Sequence, residues 1–467
     1  MTAFIKRHWF ALLFVAALLV RLPQLASPLW YDESWTQWIS GLPFTRLMAA
    51  VAGDVHPPLF FALTWLIGRI SLAPWALRMV PLACSLLTLL ATRRLLLALR
   101  LPVAAQVVAL MLVALSPWQI YYSSELRMYT LLELAFVMGA SAVVDGDYLA
   151  MGFWMVVLCY TQNYGLMYSA VLGLWALRVG RYEIDKPITF GVVALVAYLP
   201  WALTGLRMQL AQVGAGYWIG TPTLPDVMLT VYYWLAGYID GGLQVVVMVL
   251  AIWLTIMVIM RRDWELQWLT FGPIMLALIV SAWRPIYLSR ALLPCSIPFY
   301  ILIGKALADL RLPGRVAAVG FLVPAFVLAI VCDNSREVMI QRYRSPEVAA
   351  LIAQGPTIQP IYYFGLSSLV ELHQWSLPNP QYVWSYNMSI QSGSYSLATR
   401  QALGIDEREL AAVPAGPVWL VAPINGYGHN DDMQAQVDAV LRDYPSRLVM
   451  ELHGKENYGV EVYELWR

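Results

Sequence analysis

Apolar runs of membrane-spanning length recur along the chain from residue 8 to about residue 332. A helix crosses about 30 Å of hydrocarbon with ~20 apolar residues, and each run is close to that length. Within a bilayer only helices and closed barrels satisfy every backbone polar group, so these runs predict helices. The composition agrees, because 60% of the residues are hydrophobic and 13% are charged, against ~25% charged in soluble domains. We therefore expect an integral membrane protein.

Basic residues indicate how the predicted helices are oriented, because short cytoplasmic loops are rich in lysine and arginine. Five basic clusters occur, at residues 6–7, 93–100, 178–186, 261–262 and 305–315. If all five are cytoplasmic, the N-terminus lies in the cytoplasm and about eleven spans place the C-terminus outside. The predicted spans are residues 8–29, 77–97, 101–119, 130–145, 148–162, 164–178, 187–205, 241–260, 266–283, 291–309 and 315–332.

Two stretches between these spans are expected on the outer side. Residues 56–71 form an apolar segment of only 16 residues that opens with two prolines after His56, and we interpret it as a helix that dips into the outer membrane face. Residues 30–76 then form one large outer loop. Residues 206–240 are expected to be a second long outer loop, rich in Gly, Tyr and Trp. Its aromatic rings either belong to the interfacial belt or contact a sugar, and the loop is a candidate lid.

The composition changes beyond about residue 333, where Pro, Asn, Ser, Gln and acidic residues return. Residues 417–424 and 458–466 are predicted strands, and residues 431–444 have the spacing of an amphipathic helix. The predicted fold class is an all-α polytopic membrane domain, residues 1–332, followed by a small extracytoplasmic α/β domain, residues 333–467. The expected location is the inner (plasma) membrane.

Ionisable side chains gather at the predicted outer ends of the helices, where their cost makes function the default hypothesis. The candidate site residues are Asp32, Glu33, His56, Arg78, Glu125, Arg127, Tyr129, Arg284, Tyr287 and Arg290. Structural alternatives stay open for several of them. Asp32 and Glu33 are also suited to the first turn of a short helix, His56 to a loop that bonds the backbone, and Arg284 and Arg290 to anchoring at the headgroups.

The chemistry of the whole set is more specific than that of any member. Carboxylates beside a basic rim suit a reaction that deprotonates an alcohol while an anionic leaving group departs. A lipid phosphate is such a leaving group, and the arginine fork matches its oxygens. Because nucleotide sugars are absent outside a bacterial cytoplasm, a sugar donor there arrives on a membrane carrier. The net charge of +1, spread along the chain, argues against a nucleic-acid partner.

Three motifs, in this order, resemble those of the GT-C glycosyltransferases, in the branch of protein mannosyltransferases, aminoarabinose transferases and Rgt-type transferases. They are WYDESW at residues 30–35, DVHPPLFFALTWL at residues 54–66 and SSELRMYTLLEL at residues 123–134. The resemblance covers roughly residues 1–310 and says little about the tail. It implies the GT-C fold and transfer of a sugar from a polyprenyl-monophosphate carrier to an extracytoplasmic glycan, lipid or protein acceptor.

The resemblance also implies roles for individual residues. Asp32 matches the aspartate proposed as the base, and Glu33 completes the Asp-Glu pair. His56, Arg78 and the segment from Glu125 to Tyr129 match further motif positions, and Arg290 lies where relatives present an arginine to the lipid phosphate. No cofactor is expected to be required; were a divalent metal bound, Asp32 and Glu125 would be its ligands.

Two other classes of function remain as alternatives to a glycosyltransferase. A lipid or glycolipid transporter or flippase would also bind an anionic headgroup, but such proteins tend to contain repeats and midplane sites. No internal repeat is found here, and the polar groups cluster at one face. A non-catalytic assembly subunit is the other alternative, against which the intact Asp32 and Glu33 argue.

Overall fold

The computed structural model describes residues 2–214, 219–238, 242–310, 344–384, 397–408, 410–425, 431–453 and 459–466. The predicted span 315–332 and the predicted domain boundary between residues 332 and 333 lie outside these residues, and both stay predictions. The chain forms two compact units. The first comprises residues 1–25, 78–203 and 219–335, and the second comprises residues 26–77, 204–218 and 336–467.

Most of the described residues are helical. The helices are α1 (Thr2–Arg21), α2 (Tyr31–Gly41), α3 (Phe44–Ala52), α4 (Leu59–Gly68), α5 (Pro74–Leu77), α6 (Met79–Ala98), α7 (Val103–Leu115), α8 (Pro117–Ser124), α9 (Tyr129–Asp145), α10 (Tyr148–Thr161), α11 (Gly165–Val179), α12 (Asp185–Trp201), α13 (Arg207–Gly214), α14 (Leu224–Ala236), α15 (Gly242–Met260), α16 (Trp264–Ser281), α17 (Ser296–Asp309), α18 (Ser345–Ile352), α19 (Leu366–His373), α20 (Leu397–Leu403) and α21 (Asp431–Asp443). Short 3-10 helices cover Leu22–Ala26, Ser289–Cys295 and Leu410–Ala412, and a π-helical turn covers Ala202–Leu206.

The apolar helices confirm a multi-pass membrane protein. Within the described residues, five helical stretches are long and apolar enough to cross a bilayer: Arg7–Ala26, Pro74–Ala98, Asp185–Ala211, Trp264–Ser281 and Ser289–Asp309. A sixth is possible if helices α7 and α8 form one bent span. Ten of the predicted spans coincide with helices, although several, such as α10 and α11, are shorter than a full crossing. Helix α4 is also short, as expected for a segment that does not cross.

The predicted span 101–119 is interrupted, because helix α7 ends at Leu115 and helix α8 starts at Pro117 with a bend of 47°. Proline disfavours helical geometry in the residue before it, and Ser116 is extended with ψ 134°. The break is compensated by polar contacts. The Ser116 hydroxyl donates to the carbonyl of Trp234 over 2.6 Å and accepts from the Tyr300 hydroxyl over 3.1 Å.

The prediction that residues 206–240 form a loop is wrong, because this stretch contains helices α13 and α14. The sequence at the start of helix α14 contains a helix-capping signal, which the Gly-, Tyr- and Trp-rich composition of the stretch concealed. The backbone N–H of Thr223 donates to Asp226 Oδ2 over 2.7 Å, and Pro225 occupies the first turn. A threonine followed three residues later by an acid is a helix-start signature, and proline at the first positions supports it.

The second unit contains a six-stranded sheet formed by β1 (Ile361–Tyr363), β2 (Gln381–Trp384), β3 (Glu407–Arg408), β4 (Pro417–Asn425), β5 (Ser446–His453) and β6 (Gly459–Trp466). The strand order is β3-β2-β1-β4-β6-β5. Strands β1 to β4 are parallel where they pair, whereas β6 is antiparallel to β4 and β5. Helix α21 packs on this sheet through Val437, Val440 and Leu441. The predicted α/β unit is confirmed, including the strands β4 and β6 and the amphipathic helix α21.

Arg21 ties three helices of the first unit together, although it is only 2% exposed. Its guanidinium donates to the carbonyls of Ala114 (2.6 Å), Val113 (3.2 Å) and Ala17 (2.9 Å), and to the Ser85 hydroxyl (3.2 Å). Two of these acceptors are orphan carbonyls at the end of helix α7. The arginine therefore satisfies a helix end that the bilayer cannot hydrate.

We predict that Arg21→Met lowers the free energy of unfolding by about 2–4 kcal/mol, because each buried acceptor left unpaired costs about 1–3 kcal/mol. The measurement is thermal unfolding in detergent. The control is Arg94→Met, which removes a pair with Asp145 (2.6 Å) on a side chain that is 62% exposed and is expected to cost less than about 1 kcal/mol. Equal shifts in Tm for the two variants would contradict this role for Arg21.

Candidate active site

The predicted acidic pair lies in the first turn of helix α2, within the second unit. Glu33 is fully buried and its Oε2 accepts the backbone N–H of Trp30 over 3.4 Å. Asp32 precedes it and is partly buried. Acidic groups are favoured at a helix N-terminus by its exposed N–H groups. Glu33 therefore has the capping contact that the structural alternative predicted, and it holds the turn that carries Asp32.

His56 lies in the turn between helices α3 and α4 of the same unit. Its Nδ1 is 3.2 Å from Asp54 Oδ2, and its backbone carbonyl accepts from Gln209 Nε2 over 2.8 Å. The side chain of His56 is 13% exposed. The carboxylate of Asp54 orients the imidazole ring of His56. The phosphate-binding role itself stays a prediction.

Helix α19, in the predicted tail, packs along helix α2. The Gln374 side chain accepts the Leu29 N–H over 2.9 Å and donates to the Leu29 carbonyl over 2.8 Å. The His373 ring stacks on the Trp38 ring, with centroids 4.1 Å apart and planes 9° from parallel. The sequence did not predict the contact of this helix with helix α2, because a side chain such as Gln374 gives no local signal of the residue that it contacts in the folded protein.

The motif around Glu125 lies in the first unit, in the tight turn between helices α8 and α9. The N–H of Arg127 donates to the Glu125 carbonyl over 2.7 Å, and both side chains are buried, at 3% and 1% exposed. The Arg290 guanidinium lies over the Tyr129 ring at 5.8 Å from its centroid. The Tyr122 ring adjoins Tyr129 at 5.2 Å, and Glu125 and Arg290 both act on it electrostatically. The structure therefore brings Glu125, Tyr129 and Arg290 together around Tyr122, with Arg290 partly buried.

The other predicted residues of the first unit have different surroundings. Arg78 is buried before helix α6 and donates to the carbonyls of Leu25 (2.9 Å) and Gln24 (3.3 Å). The Tyr287 hydroxyl is 2.9 Å from the Thr230 hydroxyl, and burial raises the pKa of Tyr287 to about 12. Arg284 is exposed after helix α16, as an anchoring residue would be. Arg78 and Tyr287 thus have structural contacts, and their part in binding stays a prediction.

The expectation that the protein requires no metal stays a prediction. Among the residues that the structure describes, no group of three or more His, Cys, Asp or Glu side chains is arranged to hold an ion.

Known proteins resemble this chain in structure, but no detectable match is found in sequence. No family model and no curated protein sequence matches the chain. ArnT from Cupriavidus metallidurans in the apo state superposes with a TM-score of 0.67 at 15% identity, covering 98% of this chain and 98% of ArnT. The structure of that ArnT bound to undecaprenyl phosphate gives a TM-score of 0.64 at 15% identity, covering 97% and 98% of the two chains. The chain has the GT-C fold.

This GT-C fold covers the tail as well as the membrane helices, since the match to ArnT extends over nearly the whole of both chains. The archaeal oligosaccharyltransferase AglB from Archaeoglobus fulgidus is a more distant neighbour. It has a TM-score of 0.46 at 10% identity over 90% of this chain and 70% of AglB. The fold class predicted from the sequence is confirmed.

The stacked pair of His373 and Trp38 predicts a pH dependence of the second unit. Burial lowers the pKa of His373 from 6.5 to about 4. A histidine held neutral in the folded state contributes stability above the unfolded pKa and loses it as the pH falls towards 4. Glu371, whose pKa is raised, changes stability in the opposite direction, so a variant is needed to isolate His373.

We predict that wild type loses about 1–2 kcal/mol relative to His373→Phe between pH 7 and pH 5, because one pKa unit corresponds to ~1.4 kcal/mol. Phenylalanine keeps the aromatic stack without a titrating group. The measurement is thermolysin protection of the C-terminal residues at a series of pH values. A constant difference between the two proteins across this range would show that His373 is not held neutral.

Proposed function

We propose that this protein is a glycosyltransferase that moves a sugar from a polyprenyl-monophosphate carrier to an extracytoplasmic acceptor. The acceptor is a glycolipid, a polysaccharide or a protein. The observation that carries the proposal is the likeness to ArnT over 98% of both chains, together with buried ionisable residues at the three motifs. One ArnT structure contains undecaprenyl phosphate, which is the class of carrier that the sequence predicts.

The proposed reaction is a single inverting displacement at the anomeric carbon. Asp32 takes the proton of the acceptor hydroxyl, the acceptor oxygen bonds to that carbon, and the bond from carbon to the phosphate oxygen breaks. Asp32 is the better candidate for the base, because Glu33 is fully buried and already bonds the backbone of Trp30. The position of Asp32 in a capped first turn limits its motion, which favours catalysis by a pre-positioned group.

The departing lipid phosphate requires cationic groups that are already in place. Arg127 and Arg290 are the strongest candidates, because Arg127 is 3% exposed and Arg290 is partly buried against the Tyr129 ring. Burial strengthens an arginine's interaction with a phosphate, since little water competes for it. Arg78 is a weaker candidate, because two backbone carbonyls already accept from its Nη1.

A transporter and a non-catalytic subunit remain the alternatives. A transporter of anionic lipid would need the arginines but no base, whereas a transferase needs both. The Asp-Glu turn of helix α2 therefore favours catalysis, and replacing Asp32 separates the possibilities.

We predict that Asp32→Asn reduces transfer by at least about a hundredfold, because general-base catalysis contributes about 10²–10⁴-fold. The measurement is the passage of label from a panel of polyprenyl-phosphate sugars to native membrane extract, with protein in nanodiscs. Asp185→Asn is the matched control, since it alters an exposed aspartate in the first turn of helix α12. Full activity of a folded Asp32→Asn protein would refute Asp32 as the base, and no turnover of any donor by wild type would favour transport or assembly.

We also predict that Arg290→Ala and Arg127→Ala each weaken donor binding by about tenfold or more, because a hydrogen bond between charged groups contributes about 1.5–3 kcal/mol. Arg78→Ala is expected to weaken binding less and to lower stability as well. The measurement is equilibrium binding of labelled polyprenyl phosphate in nanodiscs. Arg181→Ala, at an exposed arginine, is the control, and unchanged affinity in all three site variants would exclude these arginines as phosphate ligands.

A further inference from the structure

Glu371 in helix α19 is a buried carboxyl that the proposed reaction does not use. Its side chain is 3% exposed, and the backbone N–H of Tyr31 donates a hydrogen bond to it. Tyr31 is the residue immediately before Asp32. The contact between helices α19 and α2 therefore includes a bond from the C-terminal domain to the backbone beside the proposed base.

Glu371 also lies in the electrostatic field of Asp32 and Glu33. Burial raises the pKa of Glu371 well above its usual value, and the two neighbouring carboxylates raise it further. The shift favours the acid form of Glu371, in which one oxygen accepts a hydrogen bond and the O–H donates one. If Glu371 were ionised, it would repel the carboxylates of Asp32 and Glu33.

The two oxygens of Glu371 have different surroundings. Oε1 is buried and has no hydrogen-bond partner among the described residues, so the bond from Tyr31 goes to the other oxygen. Because the carbonyl oxygen of a carboxylic acid is the better acceptor of an N–H, the acid form would carry its proton on Oε1. A buried O–H with no acceptor costs about 1–3 kcal/mol and requires an explanation.

A small cavity beside Glu371 provides one. Its volume is about 20 Å³, and Ser345, Ser367 and Ser368 line it together with Glu371. A cavity of this size accommodates one water molecule, which needs two to four polar partners. A water in this cavity would accept a hydrogen bond from the O–H of Glu371 and complete its hydrogen bonding.

We propose that Glu371, in its acid form, is a positioning residue for the base. Its carbonyl oxygen accepts from the backbone N–H of Tyr31, next to Asp32, and its O–H donates a hydrogen bond to a water in the serine-lined cavity. This inference rests on the proposed function, since it gives the C-terminal domain a part in placing Asp32. A neutral acid achieves this without adding a third negative charge to the turn.

The alkaline behaviour follows from the groups that face Glu371. Helix α2 presents Asp32 and Glu33, and Glu371 shares its own helix with His373, which burial keeps neutral. At the start of helix α18, Nε of the preceding residue Arg344 pairs with Glu347 Oε1 over 2.7 Å. Strand β1 contributes tyrosines, and strand β4 contributes no ionisable side chain. Ionising Glu371 at high pH would add an uncompensated charge and weaken the placement of Asp32.

The test compares Glu371→Gln with Glu371→Met in the full-length protein in nanodiscs. Glutamine accepts from Tyr31 and donates to the cavity water, so its kcat should stay within about threefold of wild type, whereas methionine should lower kcat at least about tenfold because the base is misplaced. KM for the donor should change less than about threefold in both variants. Glu347→Met is the control in the same domain and should leave kcat unchanged.

The pH profile adds a readout that a purely structural role would not change. Wild-type kcat should decline at alkaline pH, and Glu371→Gln should lack that decline. Wild-type kcat and an unchanged profile in Glu371→Met, while Asp32→Asn is inactive, would overturn the positioning role and leave the proposed function intact. Equal loss of kcat in both Glu371 variants with intact protease resistance would also overturn it.

A measurement without turnover separates this inference from the proposed function. The infrared spectrum of wild type at neutral pH should contain the C=O band of a protonated carboxyl that is lost in Glu371→Gln and shifted in Asp32→Asn. Asp185→Asn should leave the band unchanged. Absence of the band would overturn the inference, whether or not the protein transfers sugar.

Discussion

Hydrocarbon offers no hydrogen-bond partners, and the buried charge of Arg21 and the bend at Ser116 in the first unit are arranged around that constraint. Arg21 is buried because it satisfies the carbonyls that end helix α7. The bend that follows is compensated by Ser116, whose hydroxyl donates to the Trp234 carbonyl and accepts a hydrogen bond from the Tyr300 hydroxyl. Polar residues within the helices are thus part of the scaffold. The ionisable residues left for chemistry lie in turns, such as the one from Glu125 to Tyr129.

The second unit meets a different requirement, which is to hold acidic residues close together without losing stability. Glu33 is stabilised by the N-terminus of helix α2, where acidic groups are favoured. Glu371 is stabilised by remaining protonated. Gln374 and His373 fix the packing of helices α19 and α2 through backbone bonds and ring stacking, which do not depend on charge. The turn that carries Asp32 is therefore held from more than one direction.

The likeness to ArnT at 15% identity, with no sequence family match, follows from what membrane helices require. Apolar side chains of similar volume replace one another with little cost, so most positions vary while the helices keep their places. A shared fold does not by itself establish a shared reaction. The proposed function consequently depends on Asp32, Arg127 and Arg290, whose chemistry suits the departure of an anion, and on variants that test each of them.

The sequence by itself determined the membrane class, most helix positions and the α/β tail, because these follow from local hydrophobic periods and charge. It also indicated Asp32, Glu125 and Arg290 through short motifs. It did not reveal the helices within residues 206–240, since their aromatic composition concealed the capping signal at Thr223 and Asp226. Only the tertiary structure decided that Glu371 lies beside the first turn of helix α2. That contact joins residues more than 300 positions apart. A local sequence pattern contains no information about a residue that only folding brings close.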